Sequence, residues 1–242
     1  MIYILKEEQE FYEDIWGKLF LFFIPFVIGF SYIGLLYLIL GNNNLFWIVG
    51  GAMFAYLFPP FGKETVIPTT IFTLLGLPSL QLSPVLAIFI VSGSVAFVDV
   101  VTSYFLLYNF YIAKKIPLLG KWIDKSQEFG ARKMKKNQWI KRLAFYGVAS
   151  FVVIPFQGSG GVGASILGRV IGMNKYYAWV SIIIGAFVGC FLIGIVSYYT
   201  GGAIILVFGA NILMWLVVVF LIIVVFIFLY NLFKTRFSDE SG

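Results

Sequence analysis

Apolar residues in this chain come in long unbroken runs and do not alternate with polar ones. Four runs stand out, at 19–40, 84–113, 176–200 and 203–233. A helix rises about 1.5 Å per residue, so roughly 20 apolar residues cross about 30 Å of hydrocarbon, and each run is long enough to do so. Two further apolar stretches are interrupted midway. The stretch 45–77 is broken by Phe58-Pro59-Pro60-Phe61-Gly62-Lys63-Glu64, and 143–173 by Ile154-Pro155-Phe156-Gln157-Gly158-Ser159-Gly160-Gly161. Each break leaves two arms of about 13 residues, or roughly 20 Å of helix, which falls short of the hydrocarbon thickness. Two equally short arms around a Pro/Gly break predict a re-entrant hairpin, whose irregular tip must be buried in protein or line a wet cavity. The expected fold is all-α: one polytopic membrane domain over 1–242 with about four full transmembrane helices and two re-entrant helical hairpins.

The two broken segments punctuate the chain in step. With Pro59 placed on Pro155, an offset of 96, Gly62 falls on Gly158, Val66 on Val162, Gly76 on Gly172 and Gly93 on Gly189. The reading is an internal repeat. Its first copy is 45–113 (hairpin 45–77, span 84–113), and its second is 143–209 (hairpin 143–173, span 176–200). The segment 114–142 lies between them, and the span 203–233 comes last. One full crossing separates the hairpins, so they enter from opposite faces. Paired interrupted segments in two inverted halves point to a transporter's binding site.

Charge fixes an expected orientation. Lys114 to Arg142 carries ten Lys or Arg against Asp124 and Glu128, which makes this loop cytoplasmic by the positive-inside rule. Lys6, Lys18, Lys175, Lys234 and Arg236 fall on the same side, while the connections 41–44, 78–83 and 200–202 carry no charge. Both termini are then cytoplasmic in a multi-pass protein of the cell membrane. The first run follows the acidic stretch Glu7 to Asp14 and continues as a full span, unlike a cleaved signal. The net charge of +6 therefore belongs to membrane flanks, and nucleic acid is not an expected partner. Trp122, Ile123, Phe129, Met134 and Trp139 are interleaved with the basic residues. The loop either binds anionic headgroups as an amphipathic helix or only sets orientation. Trp16, Trp47, Trp122, Trp139 and Trp179 suit an interfacial aromatic belt.

Only 12% of residues are charged and 61% are hydrophobic, against about 25% charged in soluble domains. An ionisable residue inside an apolar run is therefore a functional candidate by default. There are four: Lys63 and Glu64 at the first break, Asp99 within 84–113, and Arg169 in the second hairpin. Asp99 is too short to snorkel and is expected to pair or to carry protons. Glu64 is either a proton carrier or a structural partner, pairing with Lys63 or capping the half-helix. Lys63 is a candidate contact for an anionic head. Arg169 either snorkels to the surface or reaches a phosphate or Asp99. At the second break Gln157, Gly158, Ser159, Gly160 and Gly161 precede a half-helix whose first N–H groups lack intrahelical partners. Its dipole places partial positive charge there, an arrangement suited to a phosphate or carboxylate. Pro59, Pro60, Gly62 and Pro155 make the breaks. Gly185, Gly189 and Gly194 read as helix contacts, and the single cysteine, Cys190, as a small core residue. With no histidine, His-based zinc sites and His general bases are excluded. No catalytic set, metal site or cofactor is expected.

The run from Ile154 to Arg169, with Gly62-Lys63-Glu64-Thr65-Val66-Ile67-Pro68, resembles the small multidrug export protein family over roughly residues 45–200. That family is similar to the wider DedA/VTT group of membrane proteins, whose members have paired re-entrant hairpins. The group places an acidic residue at hairpin one, which Glu64 matches. It also places an arginine just after the proline of hairpin two, where this chain has Gln157-Gly158-Ser159 and no arginine until Arg169. The resemblance implies transport, and through the DedA/VTT group it implies flipping of polyprenyl-phosphate carrier lipids or lipid scrambling. The resulting expectation is a carrier of a lipid phosphate or small anion, working by alternating access with Glu64 or Asp99 taking up a proton. Two alternatives stand beside it: a proton-coupled exporter of cationic drugs, and a non-transporting membrane assembly factor. Expected partners are membrane lipids and protons, and a homo-oligomer is left open.

Overall fold

A computed structural model describes residues 15–41, 43–58, 61–110, 138–156 and 158–201. The expected last span, all but the end of the basic loop, and the break residues Pro59, Pro60 and Gln157 lie outside the described residues. The described chain forms seven helices: α1 Ile15–Leu40, α2 Asn44–Tyr56, α3 Lys63–Leu75, α4 Pro84–Tyr108, α5 Gln138–Val153, α6 Gly161–Val170 and α7 Lys175–Tyr199. No strand occurs among the described residues. Leu19–Leu40 within α1, α4 and α7 are long and apolar enough to cross a membrane. With an all-helical fold this makes the protein a multi-pass membrane protein.

The outer starts of helices are closed by polar side chains. Asn43 Oδ1 accepts from the N–H of Leu45 at 3.0 Å and of Phe46 at 3.3 Å. Ser83 Oγ accepts from Leu86 N–H at 3.3 Å, and Asn174 Oδ1 from Tyr176 N–H at 2.9 Å. These are ordinary N-caps, each satisfying donors that the helix leaves orphaned. The two inner starts differ. α3 and α6 begin from extended glycines, Gly62 and Gly160, and neither has a side-chain cap of its own.

α4 is the central rod, and its neighbours fix where everything else lies. α1 runs antiparallel to it: Leu21 meets Asn109, Phe22 and Phe26 meet Phe105, and Tyr32 stacks on Phe97 at 3.8 Å. α7 is antiparallel to it on another side, with Lys175 over Tyr108 and Trp179 donating to the Val100 carbonyl at 3.2 Å. Further along α7, Gly194 lies against Ile88 and Ser92.

The α2–α3 pair hangs from the Pro84 end of this frame. Phe46 near the start of α2 touches Tyr37 near the end of α1. Ile71 of α3 lies beside Gly194 at the level of Ile88, and Tyr56, the last residue of α2, reaches Asp99. The α5–α6 pair hangs from the other end. Lys141 of α5 lies over Tyr177 at 3.8 Å, and Arg169 of α6 over Phe110 at 5.4 Å. The end of α5 meets Gly189, and Gly161 meets Asp99. The two pairs thus approach the same stretch of α4 from opposite ends.

The arms of the second pair are unequal, at 16 and 10 residues, where equal lengths were expected. The charges of Lys141 and Arg142 end the apolar run without ending the helix, so α5 begins as far back as Gln138. At the other side the glycine loop delays the helix to Gly161. The half-helices start at Lys63 and Gly161, 98 residues apart, and the following spans at Pro84 and Lys175, 91 apart. No single offset of 96 relates them. A Cβ on Gly93 would meet nothing, whereas one on Gly189 would press on Val153, so these two glycines serve different purposes.

Candidate functional site

The two breaks and the middle of α4 enclose a cavity of about 160 Å³. Two charged side chains line it, Asp99 from α4 and Lys63 from the start of α3, and both are almost fully buried, at 2% and 1% exposure. Such charges are tolerated in an apolar interior only when paired or well hydrogen-bonded. The second hairpin supplies both partners from its backbone. Its tip presents the carboxyl end of α5 and the amino end of α6 side by side, so a partial negative and a partial positive pole meet there. The Lys63 ammonium donates to the Val152 carbonyl at the end of α5. Asp99 Oδ1 accepts from the Gly161 N–H at the start of α6, at 2.6 Å. Each buried charge thus sits on the helix pole of opposite sign.

Asp99 Oδ1 accepts a second bond, from the Tyr56 hydroxyl at 2.9 Å, while Oδ2 has no hydrogen-bond partner. Thr102 lines the same cavity, its hydroxyl donating to the Val98 carbonyl at 2.8 Å. The mouth is apolar. Leu57, Phe61 and Val162 line the cavity and are each about half exposed.

The glycines at the second break are there because backbone comes close. A side chain at Gly161 would collide with the Asp99 carbonyl and Thr102, and one at Gly160 with the Tyr56 hydroxyl and Asp99. Gly163 allows α6 to close on the Gly158 carbonyl, and Gly158 itself has a φ of +90°. Pro155 lies in the non-helical link between α5 and α6. Ser159 turns inward, fully buried, and its Oγ donates to the Ile154 carbonyl at 2.7 Å. It locks the loop and does not line the cavity.

The other expected site residues are placed as follows. Gly62, Lys63, Asp99, Gly158, Gly160 and Gly161 share the cavity wall. Glu64 is buried beside it with its carboxylate folded back over Gly62, and its Oε2 has no hydrogen-bond partner. Arg169 does not line the cavity. It lies eight residues beyond Gly161, about 12 Å along the helix, over the Phe110 ring and with Nε unpartnered. It therefore does not pair with Asp99. Sequence reasoning missed Tyr56, Thr102 and the Val152 carbonyl. A signal existed for Tyr56: a tyrosine at the inner end of an apolar arm needs a partner for its hydroxyl. No three His, Cys, Asp or Glu side chains cluster as a metal site among the described residues.

A family model described as "Putative small multi-drug export protein" matches residues 64–192, more than half of the 242-residue chain. The match runs from Glu64 at the first break, through Asp99 and the whole second hairpin, to the middle of α7. The chain belongs to that family. No curated protein and no solved structure gives a match.

Proposed function

We propose that this member of the small multi-drug export family is a transporter in which the two breaks form one anion-binding site at mid-membrane, reached in turn from either side. The observation that carries the reading is the carboxylate of Asp99 seated on the amino end of α6. A carboxyl group already fits the place that a phosphate or carboxylate substrate would take. Gly161 N–H, the Tyr56 hydroxyl and the Lys63 ammonium are the donors available to such a group. In this reading α2–α3 and α5–α6 are re-entrant hairpins from opposite leaflets, with the Lys141 and Arg169 side facing the cytoplasm. Opposite approach to α4 and the shortness of three of the four arms support it.

Cavity size limits what can enter. Pockets for drug-sized ligands measure about 300–1,000 Å³, so about 160 Å³ holds a headgroup or a few waters and excludes a whole lipid. The half-exposed apolar mouth suits a substrate whose tail stays in the bilayer, such as a polyprenyl phosphate. The test is transbilayer movement of a labelled polyprenyl phosphate in proteoliposomes. A rate equal to that of protein-free vesicles removes the lipid assignment.

A second reading is proton-coupled export of cationic drugs. The family's description and the unpartnered oxygens Glu64 Oε2 and Asp99 Oδ2 favour it. It requires efflux of a fluorescent cationic dye from loaded proteoliposomes, lost in both Glu64→Gln and Asp99→Asn, whereas the anion reading requires no dye movement.

A further inference from the structure

The cavity balances its own charge. Lys63 on the α5 carboxyl end and Asp99 on the α6 amino end line it as one cation and one anion. The other titratable groups around Asp99 are Tyr56 from α2, Glu64 beside Lys63 on α3, and Cys190 from α7. Of these Tyr56 is a donor to Asp99, Glu64 is turned away over Gly62 and Cys190 is a buried free thiol. None supplies a second cation. The helix end, an otherwise ready anion site, is therefore filled by the protein's own carboxylate, whose second oxygen, Oδ2, has no partner.

We propose that Asp99 is an internal stand-in for the transported anion: it occupies the amino end of α6 while the carrier is empty, and it must be protonated and leave Gly161 before a substrate phosphate, sulfate or carboxylate can take that end. This rests on the anion-transport reading above and adds its coupling rule, one proton taken up with each singly charged group bound. The reason is electrostatic. Two carboxylate-like charges about 4 Å apart, at an effective dielectric of about 20, repel by the equivalent of about a thousandfold in affinity. A proton on Asp99 removes that penalty and leaves Lys63 to balance the incoming charge. Oδ2 is the oxygen that can take the proton, because Oδ1 already accepts from two donors and Oδ2 has no partner.

The experiment uses the full chain in nanodiscs, titrated calorimetrically with methyl sulfate and with octyl sulfate, whose charge does not change over the pH range used. Repeating each titration in buffers of different ionisation enthalpy counts protons taken up per ligand. The expected result for the natural sequence is about one proton per ligand, with affinity rising about tenfold for each unit the pH is lowered while Asp99 is ionised in the empty protein. Asp99→Asn should bind with no proton uptake, no pH dependence, and at least about tenfold more tightly at neutral pH. Binding of octyl sulfate alone identifies a lipid-like substrate, and equal binding of both probes a free anion; either is compatible with the exchange. Binding by the natural sequence with no proton uptake overturns the stand-in role and leaves the anion site standing. Loss of binding in Asp99→Asn, with the natural chain still binding, overturns it as well. Absence of binding by the natural chain at every pH removes the anion reading itself. The proton count on the natural chain decides the matter even if the variant fails to fold.

Discussion

The two breaks meet in one cavity but are built on opposite plans. The first carries charge to the middle of the fold in its own sequence, as Lys63 and Glu64 in the first turn of α3. The second carries none in its first turn and offers bare helix ends, which the charges of α3 and α4 then occupy. Their tolerance of volume differs in the same sense. A Cβ at Gly62 would meet only the far end of the flexible Glu64 side chain, whereas at Gly161 it would meet backbone and Thr102. The first break should therefore fail when it loses charge, and the second when it gains volume.

Lys63→Met attacks the charge of the first break. It leaves the Asp99 charge without its counter-charge, though still held by Gly161 N–H and Tyr56, and removes the donor to Val152, a loss of about 3–5 kcal/mol for half of a buried ion set. Thermal unfolding in detergent should drop accordingly and transport should vanish, while Lys63→Met with Asp99→Asn should recover much of the stability. An equal loss in the single and double variants would break the comparison. Next comes Gly161→Ala, which forces α6 from α4 and should cost about 3 kcal/mol, the upper range for overpacking, with no recovery from any charge change. The Tyr56→Phe variant removes one of two donors to Asp99 Oδ1. An effect of about 1.5 kcal/mol, or roughly tenfold in apparent anion affinity, is expected, read by the same calorimetry. The smallest change should be Gly62→Ala, which moves only Glu64 and should stay within about 0.5 kcal/mol in stability. A collapse there would show that the first break is as tightly fitted as the second.

Much of this frame was legible from residues. Length and polarity gave α1, α4 and α7 to within a few residues, because an unbroken apolar run long enough to span is a strong signal. Pro155 and the glycines marked the second break, and Asp99 stood out as a carboxylate with nowhere to snorkel. The pairings were not legible. That Lys63 lands on Val152, 89 residues away, depends on how two helix pairs pack, and a backbone carbonyl leaves no trace in residue type. For Arg169 the residues leave two readings open, snorkelling or reaching a phosphate or Asp99, and only its place over the Phe110 ring separates it from Asp99, because a charge in an apolar run says that a partner is needed and not which one. The start of α5 was hidden because the apolar run ends at Lys141 and Arg142 while the helix extends through them to Gln138, lysine and arginine being good helix formers.

The glycines of α7 set how closely its neighbours approach it. Gly185 and Gly189 press directly on the backbone of α5 around Ala149 and Val153, and Gly194 bears on Ile88 and Ser92 of α4 with Ile71 of α3 alongside. α5 therefore leans on this rod backbone to backbone, whereas α3 reaches it through the end of the Ile71 side chain. Close-packed protein of this kind transmits displacement and does not absorb it. A displacement of α5 is then passed directly to α7, while the Ile71 side chain leaves α3 more play against the same helix.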